Sequence, residues 1–212
     1  MNIKLIHELL TDKNIKMIAT NTSIEEDPGE WDNHYKLQLQ NGKWEFIFVR
    51  WEKSDGEEKV LKFFDDEETA SKFFYLHRLN SYYLWQYIFP FEENNEDIHI
   101  GTPKFNFINL KRALKRLGIP EKYYSIHGEL KEHSLLLEKT NEHESKVKFI
   151  GDNYKVISES SILENWLAYV AMYQQAYLVF LLDQECQKLI KDKVIDQRFN
   201  DEEYSIFLSP GV

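Results

Sequence analysis

The dipeptide Asn41-Gly42 constrains this chain more than any other feature. Before it, Tyr35, Leu37 and Leu39 alternate with Lys36, Gln38 and Gln40; after it comes KWEFIFVRW. A type I′ turn needs φ > 0 at both central residues, which Asn-Gly tolerates, so the pattern predicts a β-hairpin. Ser54-Asp55-Gly56 marks a second turn, and Lys59–Phe64 reads as a third strand. Helices flank this meander. Ile3, Ile6, Leu9 and Leu10 recur at helical spacing, in a helix ending near Asn14. The stretch 20–33 is polar, acidic and broken by Pro28-Gly29, so it reads as a loop. Asp65 and Glu68 have capping-box spacing and open a helix to about Tyr87, with Ala70, Phe73, Phe74 and His77 on one face.

Residues 91–105 are acidic, contain Gly101 and Pro103, and read as a linker. The plan then recurs. Asn106 or Asn109 can cap a helix through Leu117, with Gly118 at its end and Pro120 beyond. HSLLLEK, SKVKFI and NYKVI read as strands, separated by turns at 140–144 and 151–153. Ser161 and Glu164 have capping-box spacing before a long apolar helix. Ile6, Leu10 and Ile15 match Leu110, Leu114 and Ile119 at one offset, and Ala70, Phe73 and Phe74 match Leu163, Trp166 and Leu167 at another. The expected fold is therefore α+β: two αβββα-like halves, each an antiparallel meander with flanking helices, with a possible tandem duplication. The first half is 1–90, the linker 91–105, and the second half 106–212 with a long C-terminal helix.

Charge narrows the function. The net charge is −10, from 36 acidic and 26 basic residues. Gripping a phosphate backbone or an anionic lipid surface needs clustered Lys and Arg, so neither nucleic acid nor membrane is the expected partner. A cationic protein is the natural complement. Residues 1–105 carry 20 acidic and 12 basic groups, net −8; residues 106–212 carry 16 and 14, net −2. The first-half acids gather in loops. Glu25, Glu26, Asp27, Glu30 and Asp32 form one group, and Glu52, Asp55, Glu57 and Glu58 another. Trp31 sits within the first group, where an indole is either folded back onto the domain or offered to a partner. These ten residues are the expected partner-binding set.

No reaction is announced. The nucleotide-binding glycine patterns and the Gly-x-Ser-x-Gly elbow are missing. His127, Glu129, Glu132 and His133 lie close in sequence, but neither His-Glu-x-x-His nor His-x-x-Glu-His occurs, and no metal or other cofactor is expected. Cys186, the one cysteine, is flanked by Asp183 and Glu185, which disfavour a thiolate. His77 lies on an apolar helix stripe and reads as a core histidine. Lys111, Arg112, Lys115 and Arg116 read as a solvated helix face. Trp44–Trp51 is apolar at both parities, as in a strand buried on both sides, or one with a side kept for a partner. The stretch Trp166 to Leu182 is broken by Gln174 and Gln175 and reads as a buried helix rather than a membrane span. The N-terminus has no secretory pattern, so a cytoplasmic protein is expected.

Trp44-Glu-Phe-Ile-Phe-Val-Arg-Trp51, followed by Phe64-Asp-Asp-Glu67-Glu-Thr-Ala70-Ser-Lys-Phe73-Phe74, resembles the strand-then-helix core of small immunity proteins from bacterial polymorphic toxin systems. Leu117-Gly-Ile-Pro-Glu-Lys-Tyr-Tyr-Ser-Ile126 is similar to their N-terminal lead-in. The resemblance touches about a third of the chain. It implies a non-enzymatic inhibitor that binds and blocks a cognate toxin in the producing cell. Nuclease toxins are cationic, and an acidic inhibitor would steer to them. The second reading is a different kind of binding module, a phage or mobile-element protein that antagonises a host defence factor, or a regulator, through the same surface. An enzyme with an unrecognised site is the third reading, which a deep pocket with converging polar groups would favour.

Overall fold

Asn41 and Gly42 both have positive φ, 51° and 79°. The strands beside them pair directly, Gln40 with Lys43 and Leu39 with Trp44, as the turn chemistry requires. The structure, a computed structural model, describes residues 1–27, 33–50 and 57–209. The fold is α+β, and the chain divides into two compact units, 1–82 and 83–209.

The first unit runs α1 (Ile3–Thr11), β1 (Met17–Ala19), β2 (Ser23–Glu26), β3 (His34–Gln40), β4 (Lys43–Arg50), β5 (Glu57–Phe64) and α2 (Glu67–Tyr83). Its five strands form one antiparallel sheet in chain order. The sequence reading expected three. Met17–Ala19 and Ser23–Glu26 add a short hairpin, and β2 falls in the stretch expected as a loop. Four residues with a single inward-facing apolar group, Ile24, carry too little alternation to be read.

Ile24, Leu37 and Phe46 lie side by side on the inner face and are fully buried. Phe46 stacks on Tyr35 at 5.2 Å and meets the Phe73 and His77 rings of α2 edge-on at 5.1 and 4.9 Å. Trp44, Phe46, Ile47 and Val49 are all buried, so β4 is covered on both faces. A bulge opens between Phe46 and Ile47: their partners on β5 are Lys62 and Val60, and Leu61 is the extra residue. Helix α2 is capped one residue later than the spacing suggested, because the Asp66 carboxylate accepts from the Thr69 N–H at 2.8 Å and from its hydroxyl.

In the second unit, Leu84–Ile88 is one wide turn in which the Phe89 N–H reaches Leu84 O, followed by α3 (Phe89–Glu93). Pro90 explains it: the ring has no N–H and crowds the carbonyl four residues back, so the helix widens. Then come α4 (Phe107–Arg116), β6 (Tyr124–Ser125), β7 (Ser134–Lys139), β8 (Glu144–Ile150), β9 (Val156–Glu159), β10 (Leu163–Glu164), α5 (Asn165–Lys191) and α6 (Asp201–Leu208). Strand β8 pairs antiparallel with β7 on one side and with β9 and β10 on the other, whereas β6 runs parallel to β7. Leu135, Leu137, Val147 and Phe149 are buried, as are Met172, Tyr173, Ala176, Val179 and Leu182 of α5, which packs on β7 and β8.

Two expectations change in this unit. Helix α5 starts at Asn165 with Glu164 as its cap residue and no side-chain cap bond, so Ser161 and Glu164 form no capping box. Leu163 and Glu164 are held as a strand by Ser145 and Glu144, which fixes the backbone before the helix can begin. Residues 91–105, expected as a linker, contain the end of α3 and the buried Ile98 and Phe105. The division between units falls instead between Tyr82 and Tyr83. Counted on that division, residues 1–82 carry 16 acidic and 11 basic groups and residues 83–209 carry 20 and 15, so each unit is −5. The imbalance between the halves is a product of the boundary chosen. Among the described residues no helix is long and apolar enough to cross a membrane.

Candidate functional site

Of the ten expected contact residues, Glu30, Trp31, Asp32, Glu52 and Asp55 lie outside the described residues. The other five fall at one end of the first sheet. His34 pairs with Val49 and Arg50 with Glu57, so the residues flanking 28–32 and those flanking 51–56 share that end. Antiparallel pairing in chain order forces this: alternate connections of a meander emerge on the same side.

Within the set, neighbours differ. Glu25 lies opposite Ile18 and Lys36 and so points to the outer face, away from α2. Lys36 reaches the Glu58 carboxylate at 3.3 Å. Glu45 of β4 and its β5 neighbours Glu58, Val60 and Phe63 share this outer face, and Phe63 is 57% exposed. The free edge of β5 is blunted by its bulge and by Lys59 and Lys62, and on the outer face Ile47 and Val49 of β4 are covered whereas Val60 and Phe63 of β5 are exposed. Glu26 has the opposite parity and points inward. Its carboxylate sits 2.6 Å from Arg78 of α2, with side chains only 18% and 12% exposed, and accepts from the Tyr35 N–H at 2.9 Å. The guanidinium lies 5.0 Å from the Tyr35 ring centre. Burial pushes the Arg78 pKa down, and Glu26 opposes that shift. Glu26 therefore joins sheet to helix through its pairing with Arg78.

The second unit holds two polar constellations. Asp183 on α5 is buried and saturated: it accepts from Tyr123 Oη at 2.5 Å, from Gln187 at 2.7 Å and from the Arg198 guanidinium. Burial and this carboxylate push the Tyr123 hydroxyl far above the ordinary tyrosine range. With every oxygen engaged, Asp183 ties 123, α5 and 198 together. Neighbouring Cys186 is buried, and burial raises its thiol pKa, which makes it a poor nucleophile.

In the histidine-rich span, Glu129 turns to Lys131 at 3.8 Å and Glu132 accepts from the Asn153 N–H. His133 Nε2 meets Asp152 at 2.9 Å, and Asp201 stands close enough that ligand atoms of all three lie within 4.8 Å. The Asp201 carboxylate accepts from the Asp152 N–H with both oxygens, and only a glycine at 151 leaves it room. His133 Nδ1 is buried with no hydrogen-bond partner, so the outer-shell bond that orients a ligating imidazole is missing. The geometry is that of a clamp between the β8–β9 turn and the start of α6.

Among the described residues, two larger open clefts lie in the same unit. One, of about 650 Å³, is lined by Lys111, Lys115, His127, Glu129 and Lys131, which places His127 apart from the Asp152–Asp201 pair. The other, of about 960 Å³, lies at the N-terminus of α5. Searches against protein-family models, curated proteins and solved structures find no match to the chain.

Proposed function

We propose that the chain is a non-enzymatic, immunity-type inhibitor that binds a cationic toxin domain through the loop end and outer face of the first sheet. The observation that carries this reading is the convergence of Glu25, Asp27, Glu57 and Glu58 at one end of one sheet, on whose outer face Val60 at mid-strand and Phe63 toward the opposite end are exposed. Acidic groups at the rim raise the rate of encounter, and exposed apolar side chains provide the desolvated centre that a tight complex needs. The saturation of Asp183 and the burial of Cys186 fit a protein that binds rather than catalyses.

The test begins with co-purification and mass spectrometry in the native host. The recovered partner should be basic and toxic when expressed without this chain. Changing Glu25, Glu57 and Glu58 to Gln should then slow association several-fold at 0.05 M salt, and the difference should fade at 0.5 M as the Debye length shortens from about 14 Å to about 4 Å. An acidic partner, or an unchanged association rate at low salt, would remove the basis for this reading.

A further inference from the structure

We propose that the cleft at the N-terminus of α5 binds an organic polycation of the di- or polyamine class. Its walls are aromatic and acidic: Phe107, Trp166 and Tyr169 stand with Glu142, Glu144 and Glu164 around about 960 Å³. No Lys or Arg lines it and His143 is its one basic group; Lys111 Nζ already lies 4.8 Å from the Phe107 ring centre, so the Trp166 and Tyr169 rings are the ones left for a ligand.

The carboxylates are arranged at a cost. Glu144 and Glu164 are direct partners across β8 and β10. Like charges placed opposite each other in a sheet are destabilising. Neither gains a cationic neighbour: Glu144 accepts from the Asn141 side-chain amide at 2.6 Å and Glu164 from Trp166 Nε1 at 2.8 Å, both neutral donors. No ion pair reaches Glu142, Glu144 or Glu164 among the described residues. The positive N-terminal end of α5 offsets part of one charge beside Glu164, not three. The Glu164 bond also fixes the indole of Trp166 at the cleft, and the rings of Phe107 and Tyr169 lie 6.0 Å apart.

The ligand class follows from that lining. Aromatic faces attract ammonium groups electrostatically, and carboxylates pair with them. A calcium or magnesium ion instead needs a close cage of oxygens at roughly 2.0–2.6 Å, which a wide cleft with ring walls does not give. Three carboxylates facing one space favour several linked ammonium groups over one. Polycation binding at this cleft and the inhibitor reading stand or fall independently.

The experiment is calorimetric titration of the full chain with spermidine, with Nα-acetyl-lysine amide and with MgCl2 as a charge control, at 20 mM and 150 mM salt. Spermidine should bind with one-to-one stoichiometry and raise Tm. Its affinity should fall at least tenfold in Glu144→Gln/Glu164→Gln and in Trp166→Leu. Without ligand, Glu144→Gln alone should melt no lower than the parent, because it removes a like-charge pair; this also controls for folding. Absence of saturable heat with spermidine overturns the proposal, as does unchanged affinity in both variants. Equal binding of Mg²⁺ would show a generic acidic patch. Equal binding of the acetyl-lysine amide would show a site for a single ammonium. Either result also overturns it.

Discussion

Glu25 and Glu26 are adjacent in sequence and opposite in duty, because a strand sends neighbouring side chains to opposite faces. Arg78→Ala leaves the inward Glu26 charge without its partner and should cost about 2–3 kcal/mol in urea denaturation, whereas Glu25→Gln should stay within about 0.5 kcal/mol. Equal effects would show that Glu26 is as solvated as Glu25. Asp183 is the more severe case. Asp183→Ala strands Arg198, Tyr123 and Gln187 around an uncompensated site and should cost about 3–5 kcal/mol. At Gly151 a Cβ would stand 2.2 Å from the Asp201 carboxylate. Gly151→Ala should therefore act by displacing Asp201. A double-mutant cycle with Asp201→Ala should be strongly non-additive, with the double variant little worse than either single one.

At the scale of the element, end groups decide more than periodicity does. Asp66, rather than Asp65, caps α2, and its bonds from Thr69 hold its carboxyl below the usual value. The folded state then binds the proton more weakly than the unfolded chain. The stability gained is full above the ordinary carboxylate range and is lost as pH falls through the lowered pKa. The Tm gap between the parent and Asp66→Ala should thus be widest above about pH 5 and should close toward pH 2. A gap independent of pH would assign the effect to packing. The spacing of Asp65 with Glu68 and of Ser161 with Glu164 pointed to the right regions but the wrong caps. A cap is chosen by which residue leaves helical φ/ψ, and at Glu164 that choice belongs to its pairing with β8.

At the scale of the whole molecule, each unit has its own sheet and buried core. Residues 83–209 expressed alone should melt cooperatively and retain the acidic aromatic cleft; a fragment without a cooperative transition would show that the compact unit is not an independent domain. The units share the order helix, sheet, helix but not their strands. The first sheet is a five-strand antiparallel meander, and the second joins a parallel β6–β7 pair to β8, which carries β9 and β10 on its other side. A tandem origin remains a proposal resting on the matched apolar positions alone.

Elements whose physics is local were legible in the chain before folding was considered. Asn41-Gly42 set a hairpin, Gly118 closed α4, and the apolar residues at both parities of Trp44–Val49 marked a strand. Each depends on backbone preference or on periodicity within about ten residues. The choice of Asn106 over Asn109 as the α4 cap and the cover on both faces of the strand came with the fold. Which charges face solvent was settled by long-range packing. Glu26 pairs with a residue 52 positions away in sequence, Glu144 stands opposite Glu164, and Asp201 occupies the space that Gly151 leaves. A carboxylate reads the same in sequence whether it meets water, a guanidinium or another carboxylate. Its role is fixed by the field of its neighbours, and folding brings those neighbours from distant parts of the chain.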